Sequence, residues 1–283
     1  MHKIENSFKR TIQRRPQVGT TGNGLAFAVT AIIGINAAFS FAEEDAKQIM
    51  QKSMDAMTLA GSESISTLSI NDGKGNQRVR KFSSAQRTDA SKKVTKTVMR
   101  FLEPADVKGT GILTFDWEDK DDDMWLYMPA LRKIRRIVSS EKTKNFMGSE
   151  FTNSDITKPS IAEYTYKMLG SESIGDVECW KMEIMPATKE ISNEYGYSKK
   201  VSWIGKTDYT ARKNEFYDLD GRLLKVMMTE KVKLLDDKNK KYQPVDITMD
   251  NKQNGRSSRF IIEKVIFNPN VKEEYFTTDY LEK

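Results

Sequence analysis

The sequence predicts a mainly β domain entered through a single helix. Three observations carry this reading. Thirteen short runs rich in Val, Ile, Thr, Tyr, Phe and Trp follow one another from residue 64 onward. Clusters of Gly, Asn, Asp and Pro separate them. No long helical period alternates with the runs, which argues against Rossmann and TIM arrangements.

The helix is expected over 44–59. Ala46, Ile49, Met50, Met54 and Met57 recur at steps of three and four, while Lys47, Gln51, Lys52 and Asp55 fall on the other face. Gly61 is expected to end it. The methionine-rich face suits packing on a core or an irregular apolar guest. Strands are expected at 64–70, 77–84, 93–102, 107–117, 123–129 and 133–139, then at 163–169, 177–185, 199–204, 210–218, 223–234, 245–251 and 259–267. Asn71-Asp72-Gly73 and Asp220-Gly221 are hairpin turns by composition, and Asp236 to Asn239 a longer polar tip. In 107–117 the odd positions Val107, Gly109, Gly111, Leu113, Phe115 and Trp117 form an apolar face with room at its glycines, beside polar Lys108, Thr110, Thr114 and Asp116. The run 208–218 carries polar residues on both faces and reads as an edge strand. No repeat or linker divides the chain, so residues 43–283 read as one domain.

Residues 1–42 read as a cleaved secretory signal. Lys3, Lys9, Arg10, Arg14 and Arg15 precede nineteen uncharged residues, 24–42, which end in Ser40-Phe41-Ala42 before the acidic Glu43-Glu44-Asp45. An uncleaved anchor facing the periplasm is the alternative, since nineteen apolar residues can span a bilayer. The leader holds 5 basic residues and 1 acid of the 46 and 40 in the chain, which leaves 41 and 39, a net of +2. The basic balance therefore belongs largely to the leader, and nucleic acid is excluded as a partner.

The chemistry of the remainder is sparse. The one histidine, His2, lies in the leader, so Ser-His-Asp and Cys-His systems and most zinc and iron sites are excluded. No cofactor or metal is expected, and a hydrolase is the least supported class. The one cysteine, Cys179, has no partner for an intramolecular disulfide and reads as a buried small hydrophobe. The acidic run Glu118 to Asp123 fails as an EF-hand, which would need Gly and Glu where Met124 and Ala130 stand, and reads as a solvated hairpin tip.

What stands out is 124–155, MWLYMPALRKIRRIVSSEKTKNFMGSEFTNSD. Trp125 and Tyr127, with Leu113 and Phe115 of the preceding run, are candidate apolar ligand contacts. Arg132, Arg135 and Arg136 are candidates for docking an anionic headgroup or an acidic partner, although a solvated strand face is an equal reading. Phe146, Met147 and Phe151 sit in a polar loop that is either folded onto the barrel as a lid or exposed as a contact.

This block resembles the signature of the LolA-like outer-membrane lipoprotein-sorting protein family. Supporting blocks are 101–111 (FLEPADVKGTG), 163–169, 195–203 (YGYSKKVSW), 215–225 (EFYDLDGRLLK) and 276–283 (FTTDYLEK), so the resemblance spans about 44–283. It implies a curved, half-open antiparallel β-barrel, with an N-terminal helix and short helices covering the concave face, as in LolA and LolB. It also implies a non-enzymatic periplasmic carrier that shields acyl chains of lipids or lipoproteins on the way to the outer membrane. The implied partners are an inner-membrane exporter of the resistance-nodulation-division (RND) type or an outer-membrane acceptor. The other reading is a non-carrying adaptor for such a transporter. Burying an acyl chain is worth about 0.8 kcal/mol per CH₂, so a carrier needs a continuous apolar concavity. An adaptor needs an exposed patch.

Overall fold

The structure, a computed structural model, describes residues 46–282 apart from 92 and 159. The expected leader at 1–42 lies outside the described residues. Helix α1 occupies 46–57. Ala46 and Ile49 are buried as the spacing requires, but the face turns toward Ser53 and Ala56, leaving Met50, Met54 and Met57 half-buried at its margins.

Thirteen strands follow: β1 (Gly61–Asn71), β2 (Gln77–Thr88), β3 (Val94–Glu103), β4 (Gly111–Trp117), β5 (Asp123–Met128), β6 (Lys133–Ile137), β7 (Tyr164–Ile174), β8 (Val177–Pro186), β9 (Lys199–Gly205), β10 (Ala211–Tyr217), β11 (Leu223–Asp236), β12 (Lys241–Asn251) and β13 (Ser257–Phe267). Every expected strand is present, and β4 starts four residues late because 104–109 form a turn. The resemblance implies short helices without placing them; two are present, α2 (Lys189–Tyr195) and α3 (Thr278–Leu281). Each is capped by a threonine, with Thr188 accepting from the Ile191 amide and Thr277 from the Tyr280 amide.

The strands form one antiparallel sheet in the order β6-β5-β4-β3-β2-β1-β13-β12-β11-β10-β9-β8-β7. It is two meanders joined where β1 pairs with β13. Its two edges, β6 and β7, are consecutive in the chain. Side chains from β1–β5 meet side chains from β10 and β12 in one buried cluster, so the sheet curls around a concave face without closing: a half-open barrel. β10 lies between β9 and β11, which corrects its reading as an edge strand. Its polar inward residue, Asn214, is buried and accepts a hydrogen bond from Ser202 Oγ at 2.5 Å.

Gly61 does not cap α1; it opens β1. A Cβ there would stand 2.3 Å from the Asn268 carbonyl oxygen, at the seam between the two meanders. Gly61→Ala is expected to lower stability by about 1–3 kcal/mol in urea unfolding, because backbone must move to admit one carbon.

The convex face of β2–β6 is covered by the C-terminal segment. Val271, Phe276 and Leu281 pack on Ala85, Val98 and Leu113. Gly111 makes room for this, since a Cβ there would meet Leu281 Cδ2 at 2.9 Å. The space that the glycines of this strand promised is thus taken by the chain's own end. Cys179 is fully buried in a separate convex-face cluster with Val201 and Trp203.

Candidate functional site

Strand alternation sets the lining of the concave face. Leu68 and Ile70 of β1, Phe82 of β2, Phe101 of β3, Ile112 of β4 and Met124 of β5 meet Phe216 of β10 and Met249 of β12 in a single cluster. Phe82 and Phe101 lie 5.2 Å apart between ring centroids. At the β7–β9 side, Tyr166, Met182, Ile184 and Ile204 receive Ala46 and Ile49, so α1 covers that part.

The remainder is covered by the β6–β7 connection, residues 138–163. This segment carries Phe146 and Phe151 into the main cluster, with Phe146 at 6.4 Å from the Phe101 ring. It holds its own shape. The Phe146 amide donates to the Phe151 carbonyl at 2.7 Å, and Ser149 Oγ donates to the Phe146 carbonyl at 2.7 Å. Met147 and Gly148 both take left-handed backbone, φ 50° and 77°, which reverses the chain between the two rings. Thr152 and Asp155 form a reciprocal capping box at the following turn. The loop is therefore a lid with its aromatic side chains turned inward.

A buried polar network fastens this lid to β11–β13. Lys225, 2% exposed, donates through Nζ to Asp155 Oδ2 at 2.5 Å and to the Glu150 carbonyl at 3.2 Å. Its ammonium lies 5.2 Å from the Tyr197 ring centroid and 5.1 Å from that of Phe216. Glu150, 4% exposed, pairs with Arg256 at 2.8 Å and accepts from Asn251 Nδ2 at 2.8 Å, while its amide donates to Ser258 Oγ at 3.0 Å. Arg256 also donates to the Gly148 carbonyl at 3.0 Å. A further ion pair, Lys142 to Glu194 at 2.8 Å, ties the lid to α2.

Where α1 and residues 158–162 approach β4, Asp116 lines a cavity of about 240 Å³ with Gln51 and Met54. Burial, reinforced by nearby Asp122, pushes the Asp116 carboxyl up to about 8. Burial likewise pushes Asp122 up to about 6. One Asp116 oxygen, Oδ1, has no hydrogen-bond partner among the described residues. The folded chain holds the Asp116 proton more tightly than the unfolded chain, whose ordinary value is 3.8. Folding therefore takes up a proton between about pH 4 and pH 8, and stability falls as pH rises through that window. Asp116→Asn is expected to match wild type at or below about pH 4, to exceed it increasingly as pH rises, and to do so by a few kcal/mol near pH 8, in thermal melts across pH.

Comparison with known proteins places this architecture. Over 85% of the chain it superposes on 99% of a DUF1329 family protein from Desulfovibrio piger, with a TM-score of 0.78 at 25% identity. It matches all of a Vibrio parahaemolyticus domain described as a "putative outer membrane lipoprotein-sorting protein domain", over 85% of this chain, with a TM-score of 0.77 at 27% identity. A LolA superfamily protein from Nitrosomonas europaea shares the fold, with a TM-score of 0.62 at 20% identity over 83% of this chain and 98% of that one. No curated protein matches the chain. A family model described as "Uncharacterized protein" matches residues 93–283, more than half of the chain. The chain belongs to that family. Its architecture is LolA-like, as the signature blocks implied.

Within this LolA-like barrel the seven candidate ligand contacts do not share one face. Phe146, Met147 and Phe151 join the concave cluster. Leu113, Phe115, Trp125 and Tyr127 stand on the convex face beneath the C-terminal segment. The reason is register: Leu113 pairs with Trp125, while Ile112 pairs with Leu126, and it is Ile112 and Leu126 that turn inward. Both faces of this part of the sheet are apolar, so alternation alone does not name the inner one.

The three docking arginines are likewise divided. Arg136 is paired across the β5–β6 ladder with Trp125 and bridges Asp123. Arg135 is opposite Leu126 and pairs with Glu141 at 2.7 Å. Arg132 sits in the β5–β6 turn with left-handed backbone and, among the described residues, has no ion pair. Lys225, Asp155, Glu150 and Arg256 were not singled out by the sequence. Their only local signal is a charged residue at an inward position of a strand or turn, as with Lys225 two residues before Met227.

Proposed function

We propose that this protein is a non-enzymatic carrier that shields an acyl chain of a lipid or lipoprotein in its concave face. The observation that supports this most strongly is the construction of the cover. The apolar lining comes from strands in both halves of the sheet, whereas the lid over it is a loop held by two inward rings and a polar network rather than by strand pairing. A loop of that kind can leave while the barrel stays intact. Likeness to the Vibrio lipoprotein-sorting domain supports the same reading. Export by the leader at 1–42 would place the carrier in the periplasm. Transfer to an RND-type exporter or an outer-membrane acceptor would then be its task.

A second reading, a non-carrying adaptor, rests on the β6 edge. Leu131 is 60% exposed and Val138 53% exposed at its two ends, with Arg132 beside Leu131. Such a rim suits docking of a partner with an acidic surface. Hydrogen exchange with and without a palmitoylated peptide separates the two. A carrier is expected to lose protection at 146–157 when the peptide binds, with the strands unchanged. An adaptor keeps that segment protected.

A further inference from the structure

Under the lid, against β9–β11, lies a cavity of about 170 Å³ bounded by Tyr164, Tyr195, Tyr197, Phe216, Met227 and Lys200. Its charges do not balance. Asp155 has both oxygens engaged: Oδ2 receives Lys225 at 2.5 Å and the Thr152 amide at 2.8 Å, and Oδ1 receives the Tyr197 hydroxyl at 3.3 Å. Lys199 points to the other face of the sheet and meets Glu183 at 2.9 Å. Lys200 has no hydrogen bond or ion pair among the described residues; its ammonium lies 5.9 Å from the centroid of the Phe216 ring. Two inward lysines thus share one carboxylate, and the surplus charge is on Lys200. Burial holds its amine below the ordinary lysine range. Lys200 is half-buried, so its ammonium keeps part of its hydration, and an anion entering the pocket would pair with it away from bulk water.

We propose that this cavity receives the singly charged anionic head of a single-chain amphiphile, with Lys200 as its counter-ion and the chain running onto the concave face. The proposal rests on the acyl-carrier reading and adds a headgroup to it. The fatty carboxylate and the phosphodiester of a lysophospholipid share this chemistry, and a cavity of about 170 Å³ has room for one such group.

The test is calorimetric titration of the chain from residue 43 onward with three sixteen-carbon probes below their micelle concentrations: palmitate, palmitoyl lysophosphatidylglycerol and neutral monopalmitoylglycerol. At least one anionic probe is expected to bind about tenfold or more tighter than the neutral one, as a charge-assisted contact in a shielded site would give. Lys200→Met is expected to erase that preference while holding the neutral probe within about threefold, and Lys200→Arg to keep it. Whichever anionic probe binds more tightly identifies the source of the head. Equal affinity for neutral and anionic probes in wild type overturns the headgroup assignment and leaves the carrier reading standing. A preference that survives Lys200→Met overturns it as well. Binding of none of the three overturns the carrier reading, and the headgroup assignment with it.

Discussion

Lys225→Met is expected to lower stability by about 3–5 kcal/mol, the largest effect of any single polar substitution in the barrel. The replacement is close in volume, so packing against Tyr197 and Phe216 is largely kept. What is lost is the partner of Asp155, a carboxylate that the lid carries into the interior, and the donor to the Glu150 carbonyl. A buried charge without its counter-ion is far costlier than the pair is favourable. Asp155→Asn in the Lys225→Met background is therefore expected to recover more than half of the loss. Urea unfolding of the two single variants and the double variant measures this as a thermodynamic cycle. Additive losses would show that the two residues act separately and that the lid is held elsewhere.

Phe146→Ala gives the second large effect, and it has two opposite parts. Removing a buried ring from the main cluster is expected to cost about 3–5 kcal/mol of stability. The same change empties space beside Phe101 and Phe82. On the proposed carrier function, an acyl chain entering the concave face of the wild type must first displace that ring. In the variant it need not, so affinity for a fluorescent fatty-acyl probe is expected to rise about tenfold, equivalent to about 1.4 kcal/mol. Unchanged affinity in a destabilised but folded Phe146→Ala protein would mean that the chain does not enter through the lid.

Much of this fold was legible before the structure, because strand periodicity and turn composition are local signals. All thirteen runs became strands, and the hairpin at Asn71-Asp72-Gly73 joins β1 to β2 as its residues require. Helix α2 escaped notice because seven residues flanked by strands present no helical period; only Thr188 before it and Gly196, with φ of 76°, after it mark its ends. The site was less legible, for a different reason. Which face of β4 is concave depends on what covers each side, and both covers come from distant sequence: the lid at 146–151 inside, and Phe276 and Leu281 outside. The polar network is also non-local, since Glu150 and Asp155 find Arg256 and Lys225 only when β11–β13 are in place. The lid itself was foreseen as one of two outcomes. Phe146 and Phe151 settled on the inner one, where burial of two rings outweighs the strain of Met147 in left-handed backbone.

The central claim is that the lidded concave face holds an acyl chain. Native mass spectrometry of the protein purified gently from its own cells, followed by organic extraction, tests it most directly. A population heavier than the polypeptide by the mass of an acylated molecule is expected, with that molecule recovered in the extract. The heavier population is also expected to grow in Phe146→Ala. A protein that is uniformly empty in both forms, while still capturing a membrane transporter, would contradict the carrier reading and leave the adaptor.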